Sequence, residues 1–302
     1  MTAVIFNIAR SSLHDGDGLR TVVYFKGCLL RCRWCHNPEG YSPNRQIMYM
    51  PNRCVGCGRC ADICPACHIV SDGKIHFIRR GCVSCFKCAD VCPNGSLSVC
   101  GEFMTVDSIF DEAVKDRDYY EATGGGVTLS GGECLLYPEF CGQLLEKCKQ
   151  AGIHTAVETS LSVPWESAAA VLPAADTILA DIKHIDPEIH KRFTGHDSRT
   201  ILDNLKALSE IHPDIWIRIP LIPGINDGEN TVKRIARYVN TLGNGVKRVE
   251  ILKYNNLSRG KHAALGLPEN ETLDLAPQDD SAMKRIGRIL EETLKPGLRV
   301  IY

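Results

Sequence analysis

The cysteines of this chain restrict its fold and chemistry more than any other feature. All 16 lie at or before Cys148 in a chain of 302 residues, and most of them fall into runs of fixed spacing. So many thiols imply either disulfides or metal sites, and a reducing cytoplasm disfavours structural disulfides. The sequence therefore predicts metal clusters and confines them to the N-terminal half.

The overall charge and hydropathy argue against several classes of partner. The chain carries 35 basic and 36 acidic residues, a formal net charge of -1, so we expect no nucleic acid partner. No apolar run approaches the roughly 18 residues of a membrane span, and the first residues lack a basic segment followed by a long apolar one. We therefore predict a cytoplasmic location, no membrane partner and, as the default, a monomer.

Two cysteine runs in the first half repeat one another. Each has the spacing C-x2-C-x2-C-x3-C-P, in which three cysteines hold one [4Fe-4S] cluster and the fourth binds the neighbouring cluster. The predicted ligand sets are Cys54, Cys57, Cys60 and Cys92 for one cluster, and Cys82, Cys85, Cys88 and Cys64 for the other. Structural zinc is the alternative, but zinc sites use C-x2-C pairs without the third cysteine and the following proline.

Both repeats lie in a segment that interrupts the rest of the chain. We predict that residues 50–101 form a small inserted domain, between a first part at residues 1–49 and a second part at residues 102–302. A two-cluster module of this kind could pass electrons, dock a partner or stabilise the fold, and the sequence leaves these roles open. Cys67 and Cys100 lie outside the repeats, and we expect each to be a small buried hydrophobic side chain.

Outside the insertion, apolar runs of strand length alternate with segments of helical period. This pattern is typical of βα units around a parallel sheet, so the predicted fold class is α/β. The predicted strands lie near residues 21–25, 127–129, 154–157, 177–180, 215–219 and 249–252. A predicted helix over residues 140–148 places Phe140, Leu144, Leu145 and Cys148 on one face.

A separate run, Cys28-x3-Cys32-x2-Cys35, directly follows the first predicted strand. Three thiolates hold only three irons of a cubane, so the fourth iron is left open to another ligand. The end of a parallel strand is also where α/β barrels place their chemistry. The competing interpretation is c-type haem attachment, because Cys32 to His36 reads C-x-x-C-H; that reading requires export in most settings and leaves Cys28 unexplained.

The three-cysteine loop resembles the radical S-adenosylmethionine (SAM) superfamily. Further motifs resemble one branch, the glycyl radical enzyme activating enzymes, and within it the subgroup with two inserted ferredoxin-type clusters. These motifs are residues 5–8, 14–21, 37–39, 130–133, 181–183 and 218–224. The resemblance covers essentially the whole chain and implies a partial six-stranded parallel (β/α)6 barrel with a ferredoxin-like α+β insertion.

The resemblance also implies an oxidoreductase activity. Cys28, Cys32 and Cys35 would hold the cluster that binds SAM, so that the chain would contain three [4Fe-4S] clusters in all. Reductive cleavage of SAM would yield methionine and a 5'-deoxyadenosyl radical, which removes hydrogen from a backbone glycine of a partner glycyl radical enzyme. A flavodoxin or ferredoxin is the implied reductant, and a monovalent cation is the implied companion of SAM.

The SAM-binding residues are predicted at the ends of successive strands. Glycines at 131 and 132 would let the backbone approach the methionine part closely, and the side chains of Asp181 and Lys183 share one face of a strand end. The predicted SAM contacts are Trp34, Cys35, His36, Gly131, Gly132, Glu133, Glu158, Asp181, Ile182, Lys183, Arg218 and Asn255.

Three positions depart from the family pattern. Asp17 and Cys134 stand where the family has proline, and Asn255 stands where it has histidine. Loss of a loop proline affects rigidity more than chemistry. Two rival functions remain open from the sequence: a radical SAM enzyme acting on another substrate, and an iron-sulfur electron carrier. The sequence does not name the partner enzyme.

Overall fold

One large mixed sheet organises the chain, whose residues 1–268 and 272–302 are described by a computed structural model. The strands are β1 (Thr2–Ser12), β2 (Arg20–Phe25), β3 (Gln46–Tyr49), β4 (His68–Ser71), β5 (Lys74–Phe77), β6 (Leu97–Cys100), β7 (Glu102–Thr105), β8 (Gly126–Gly131), β9 (His154–Thr159), β10 (Thr177–Asp181), β11 (Ile215–Leu221), β12 (Val246–Lys253) and β13 (Arg299–Ile301). Within the described residues, nine of these strands form the sheet, in the order β13-β12-β11-β10-β9-β8-β2-β1-β7.

The six strands predicted from the sequence are confirmed, and they run parallel to one another from β2 through β12. The sheet is larger than predicted, because β13 adds a parallel strand at one edge and β1 and β7 add antiparallel strands at the other. A short connection between β1 and β2 suits an antiparallel pair, since a parallel pair needs a long crossover. The six parallel strands end at the same edge of the sheet, so the loops that follow them all lie at that edge.

Helices cover the sheet between successive strands. They are α1 (Arg59–Ile63), α2 (Lys87–Asp90), α3 (Val106–Ala113), α4 (Arg117–Thr123), α5 (Pro138–Gln150), α6 (Trp165–Ala169), α7 (Pro187–Thr194), α8 (Arg199–Ile211), α9 (Glu229–Asn240), α10 (Arg259–Leu265) and α11 (Asp280–Thr293). Helix α5 begins with a proline in its first turn and buries the apolar face predicted for it. Among the described helices, none is long and apolar enough to cross a membrane.

The segment with the repeated cysteine runs packs as a small unit beside the sheet. Strand β3 pairs with β6, and β4 pairs with β5, both antiparallel. A separate apolar cluster lies between these strands and the short helices α1 and α2; its buried members are Ile47, Cys60, Ile75, Cys88 and Leu97. Strand β3 lies just before residue 50, so the β3-β6 pair spans the predicted start of the insertion.

Helix α10 connects this small unit to the main sheet. Ala264 and Leu265 of the helix pack against Met48 and Cys100. The Arg79 guanidinium donates to the Ile47 carbonyl oxygen at 2.7 Å and also to the Ala264 carbonyl oxygen. The insertion is therefore held in place by a helix that follows the sixth parallel strand.

Candidate functional site

A cavity of about 650 Å³ opens at the carboxyl edge of the parallel strands. Its size lies within the roughly 300–1,000 Å³ typical of small-molecule sites. The lining residues are His14, Asp15, Tyr24, Cys28, Leu30, Cys32, Trp34, Cys35, His36, Asn37, Tyr41, Ser130, Gly131, Gly132, Glu158, Thr159, Ser160, Asp181, Lys183, Arg218, Pro220, Ile222, Ile251, Leu252, Lys253, Tyr254 and Asn255. The structure thus brings together all the predicted SAM contacts except Glu133 and Ile182, which lie behind the cavity wall.

The three-cysteine loop forms one wall of the cavity. Cys32 is buried, while Cys28 and Cys35 are half-buried, and the Cys35 N–H donates to the Cys32 carbonyl oxygen at 2.9 Å. The Tyr41 hydroxyl donates to the same oxygen at 2.8 Å. Burial raises the pKa of the Cys28 thiol to about 12 and raises that of Cys32 as well, and each is affected by the charge of Cys35.

These thiols fit the open-iron cluster predicted from their spacing. A buried thiolate is unfavourable without a nearby cation, and the three thiols that line this cavity would bind three irons of a cubane and leave the fourth iron open to another ligand. Within residues 1–268 and 272–302, no group of three His, Cys, Asp or Glu side chains is disposed around a single metal ion. A cubane is held differently, because each thiolate binds a different iron.

Helix α10 supports the loop from outside the cavity. The His262 ring nitrogen Nε2 lies 3.1 Å from the Cys35 carbonyl oxygen. The Lys261 ammonium donates to the His36 carbonyl oxygen at 3.1 Å and pairs with Glu39 at 2.9 Å. No sequence pattern predicts these contacts, because the residues lie more than 200 positions after the loop and belong to no recognisable motif.

The glycine pair at the end of β8 packs against the backbone that carries the loop. Gly131 has a φ of 113°, which favours glycine. A Cβ on Gly132 would lie 2.1 Å from the Gly27 carbonyl oxygen and 2.6 Å from that of Gly40. The need for glycine at 132 therefore comes from close contact with the backbone that carries the cysteine loop. Both glycines also line the cavity, so the backbone of this turn forms part of the cavity wall.

Glu133 fixes the same turn from behind. Its side chain is buried, and its carboxylate accepts from the Thr159 hydroxyl at 2.8 Å and from the Ser160 N–H and hydroxyl at 3.0 and 2.6 Å. Burial raises the pKa of Glu133, against the opposing effect of these donors. With its oxygens occupied, Glu133 joins the end of β8 to the end of β9. Its predicted contact with SAM stays a prediction.

An ion pair at the end of β10 faces the cysteine loop. The Lys183 ammonium donates to the Asp181 carboxylate at 2.7 Å, and both side chains are largely buried. Burial opposes the charged form of Lys183, but Asp181 and the thiol of Cys32 outweigh it and raise its pKa. Lys183 is therefore a fixed cation beside the thiols. Ile182, between the two, packs its side chain into the main core.

A second charged network lies on the strands β9, β11 and β12. The buried Arg218 guanidinium donates to Glu158 at 2.5 Å and to the His14 carbonyl oxygen at 2.6 Å, and its Nε lies 3.5 Å from Glu250. Burial raises the pKa of Glu158. The charge of Arg218 opposes this effect, but the pKa of Glu158 is still raised overall. Ser130 donates to the other oxygen of Glu158. The network presents two carboxylates to the cavity, that of Glu158 and that of Asp15, whose Oδ1 lies 4.0 Å from the Arg218 guanidinium.

The opposite wall comes from the end of β12. The His36 ring nitrogen Nε2 lies 3.1 Å from the Asn255 carbonyl oxygen, and burial lowers the pKa of His36. Trp34 lines the cavity while its ring lies 6.4 Å from that of Phe193. Asp17, which replaces a family proline, pairs with Arg248 at 2.9 Å. That ion pair ties the β1-β2 connection to β12, so a polar contact restrains a loop where the family has proline.

The first predicted ligand set of the insertion converges on a separate small cavity. Cys54, Cys57, Cys60 and Cys92 all line it, together with Tyr49 and Leu97 among others. In the second set, burial raises the pKa of Cys88 most, and the charges of Cys82 and Cys85 raise it further. The fourth cysteine of the second repeat, Cys92, therefore lines the same cavity as the first three cysteines of the first repeat.

Comparison with known proteins identifies the family to which these features belong. Residues 22–235 match the family model of the radical SAM superfamily. The (2S)-3-sulfopropanediol dehydratase activating enzyme of Klebsiella oxytoca is 42% identical, over 88% of this chain and 86% of its own length. This chain is a glycyl radical enzyme activating enzyme by family. Membership of the radical SAM superfamily implies SAM and a [4Fe-4S] cluster.

Two more activating enzymes are similar over most of their length. The choline trimethylamine-lyase activating enzyme of Oleidesulfovibrio alaskensis is 41% identical, over 87% of each chain. The trans-4-hydroxy-L-proline dehydratase activating enzyme of Clostridioides difficile is 40% identical, over 96% of this chain and 97% of its own. The names of these relatives differ in the partner enzyme, so family membership leaves the partner of this activating enzyme open.

Proposed function

We propose that this activating enzyme generates a glycyl radical on a partner glycyl radical enzyme, using one SAM and one electron for each hydrogen removed. The observation that carries the proposal is the cavity in which the three-cysteine loop meets the polar strand ends. Its support from outside the structure is the 40–42% identity to activating enzymes over most of the chain. The products are methionine, 5'-deoxyadenosine and the partner's glycine radical.

Cys28, Cys32 and Cys35 would hold the [4Fe-4S] cluster. When bound, this cluster supplies the electron that breaks the sulfonium carbon-sulfur bond of SAM. The chain's own residues set the geometry of this reaction: the Gly131-Gly132 turn would offer backbone groups at the cavity wall, and burial of Cys32 limits the access of water to its thiol. The enzyme would thereby bind SAM beside the cavity wall that carries these three thiols.

Asp181 and Glu158 would face the positively charged groups of SAM. Both carboxylates line the cavity at the ends of neighbouring strands, and each already has one cationic partner, Lys183 or Arg218. A monovalent cation beside SAM would bind between these carboxylates. Lys183 balances the charge of Asp181 and of the nearby thiols, so the wall can accept the zwitterionic methionine part without an unpaired buried charge.

The insertion, taken as residues 50–101 between the two parts at 1–49 and 102–302, would hold two further [4Fe-4S] clusters. Their ligands would be the two crossed sets defined above. In this proposal the insertion is ferredoxin-like, the barrel is a partial (β/α)6 barrel, and a flavodoxin or ferredoxin is the reductant of a monomeric enzyme. The small cavity lined by the first ligand set supports the crossed assignment.

The test is anaerobic cluster reconstitution followed by addition of SAM and dithionite. We expect wild type to form 5'-deoxyadenosine, quantified by chromatography, and Cys32→Ala to form none. Cys148→Ala is the matched control, because that buried thiol lies on α5 and does not line the cavity. No 5'-deoxyadenosine from fully reconstituted and reduced wild type would contradict the proposal and favour an iron-sulfur electron carrier.

A second experiment separates glycyl radical formation from other radical SAM reactions. Wild type, SAM and reductant are mixed with glycyl radical enzymes encoded beside this gene, and the mixture is examined by electron paramagnetic resonance. We expect the doublet of a glycyl radical with one of these proteins and its absence when Cys32→Ala replaces wild type. Formation of 5'-deoxyadenosine without a protein radical on any of them would favour a different substrate.

A further inference from the structure

The C-terminal end of α7 contacts the backbone of the three-cysteine loop. The Arg31 N–H donates to the Thr194 carbonyl oxygen at 2.7 Å, and the Arg33 N–H donates to the Phe193 carbonyl oxygen at 3.0 Å. These two N–H groups belong to the residues on either side of Cys32. The last four carbonyls of a helix have no partner within the helix, so the loop supplies partners for two of them.

A buried turn fixes the direction of these carbonyls. Gly195 follows the helix with a φ of 87°, and its N–H donates to the Lys191 carbonyl oxygen at 2.9 Å. Thr194 is fully buried, and its hydroxyl lies 2.9 Å from both the carbonyl oxygen and the Nδ1 of His190. His190 is also buried, and its Nδ1 donates to the His196 carbonyl oxygen. The side chains of Thr194 and His190 therefore join the last turn of α7 to the residues that follow it.

Another N–H group beside the loop bonds to sulfur instead. The Asn37 N–H donates to the Cys35 Sγ at 3.4 Å, whereas α7 occupies the N–H groups on either side of Cys32. A hydrogen bond from an N–H group to cluster sulfur stabilises the extra negative charge of the reduced cluster, so it raises the reduction potential. The carbonyl end of a helix has a partial negative charge, which acts in the opposite direction. Both properties of the α7 contact therefore favour the oxidised cluster.

The simpler interpretation is that α7 only packs against the loop. The Phe193 ring does pack there, since it lies 6.4 Å from the Trp34 ring and 5.9 Å from the Arg33 guanidinium. Side-chain packing does not account for two backbone hydrogen bonds, one on each side of the central cysteine. The contact therefore acts on the surroundings of the Cys32 sulfur as well as on the position of the loop.

We propose that the C-terminal end of α7 lowers the reduction potential of the cluster at the three-cysteine loop, with Thr194 and His190 as positioning residues. This inference rests on the cluster proposed for Cys28, Cys32 and Cys35. The two α7 carbonyls keep the N–H groups beside Cys32 away from cluster sulfur, and the buried turn keeps the carbonyls in place. A low potential makes the reduced cluster a stronger electron donor toward the sulfonium carbon-sulfur bond of SAM.

The experiment is an anaerobic redox titration of the reconstituted full chain, in which electron paramagnetic resonance detects the reduced clusters. The signal of the SAM cluster is the part of the spectrum that is absent from Cys32→Ala. The variants are Thr194→Val, which removes the hydroxyl, and Thr194→Val/His190→Leu, which also removes the second polar side chain of the turn. Thr293→Val is the matched control, because Thr293 also ends a helix and its hydroxyl donates to the carbonyl oxygen four residues earlier.

In both variants we expect the ratio of reduced to oxidised SAM cluster at a fixed potential to rise by about tenfold, the effect of one hydrogen bond to a charged group. Thr293→Val should match wild type, and so should Thr194→Ser, which keeps the hydroxyl. An unchanged or lower ratio in the variants that retain this cluster would overturn the proposal. Loss of the SAM-cluster iron from both variants would overturn it as well, since the turn would then be needed to assemble the cluster and not to set its potential.

Failure of the proposed function gives a different result. If wild type and Cys32→Ala have the same spectrum and the same iron content, the three-cysteine loop holds no cluster. That outcome contradicts the proposed function itself, whatever the α7 variants do, so the two failures are distinguishable.

Discussion

The three-cysteine loop and the cysteine repeats of the insertion hold their thiols by different structural means. The loop follows a strand of the nine-stranded sheet, and Cys32 and Trp34 are part of the main core. Each repeat has only its third cysteine, Cys60 or Cys88, on a short helix, and both belong to a cluster of five buried residues, while Cys57 and Cys85 are exposed. A large sheet can support three thiols around an open cavity, whereas the small unit surrounds its thiols with other cysteines.

This difference predicts that a substitution in one of the two cysteine regions leaves the structure of the other region intact. The loop depends on distant strands for its geometry, and the repeats depend on one another. The two regions touch through α10 and through the β3-β6 pair, which are the routes by which they could affect each other. Four substitutions test how independent they are.

The largest expected effect comes from Cys32→Ala. Removing one of only three ligands of the SAM cluster should lower 5'-deoxyadenosine formation by about a thousandfold or more. Iron content should fall by about four per chain, with the insertion clusters retained. Iron analysis and the SAM cleavage assay on one preparation measure both. Loss of all iron would show that the two regions are a single folding unit for cluster assembly.

Gly132→Ala should have the next largest effect, because the new methyl group would overlap the carbonyl oxygens of Gly27 and Gly40. The backbone must shift by more than an ångström, and misplacement on that scale costs about a hundredfold in rate. We expect weaker SAM binding by isothermal titration and unchanged iron in the insertion. Gly142→Ala is the control, since a Cβ there meets no atom within 4 Å. Equal SAM affinity in both variants would contradict this prediction.

Asp116 tests the stability of the main sheet. Its buried carboxylate accepts from Arg10 at 2.8 Å and from the Thr21 hydroxyl at 2.6 Å, and the bond from Arg10 lowers its pKa. Its folded pKa lies below the unfolded value, so its contribution is present above roughly pH 4 and is lost as the pH falls through the folded pKa. We expect Asp116→Asn to lower the free energy of unfolding by about 1–3 kcal/mol at pH 7.

Anaerobic urea denaturation at several pH values measures this difference, which should shrink as the pH falls below about 4. Asp107→Asn is the control, because Asp107 pairs with Lys147 on the surface with its side chain 79% exposed. A difference between wild type and Asp116→Asn that stays constant with pH would contradict the role assigned to the Asp116 charge.

The smallest effect on SAM cleavage is expected from Cys60→Ala. This change removes a predicted ligand in the insertion, so that cluster should be damaged or lost, while 5'-deoxyadenosine formation with dithionite changes by less than about threefold. Dithionite can reduce the SAM cluster directly, so any role of the insertion in electron delivery is bypassed. If activity falls as far as in Cys32→Ala, the insertion is required for the SAM site itself.

The sequence predicted the six central strands because each is a continuous apolar run followed by a polar or glycine-rich turn. It did not predict β1 as a strand, since most of the second half of β1 is at least partly exposed and shows no buried run. It placed the cavity residues correctly at strand ends, but it did not separate Glu133, behind the wall, from its neighbour Gly132. That distinction depends on the hydrogen bonds that Thr159 and Ser160 donate to Glu133 from the end of another strand, β9.

Contacts between segments that are distant in the chain could not be predicted from the sequence either. Lys261 and His262 hold the carbonyl oxygens of the cysteine loop, yet nothing in the local sequence of α10 marks them. The Asp17 substitution could be noted from the sequence, but its partner Arg248 could not. Ion pairs of this kind depend on which strands become neighbours across the sheet, and pattern alone does not determine that.

The position of α10 in the chain has a consequence for the order of synthesis. This helix contacts the three-cysteine loop through His262 and the insertion through Ala264, and it is translated after both. While the ribosome is still making residues 102–258, neither cysteine region has the helix that braces it. Both cysteine regions therefore lack the contacts of this helix until synthesis of the chain is nearly complete.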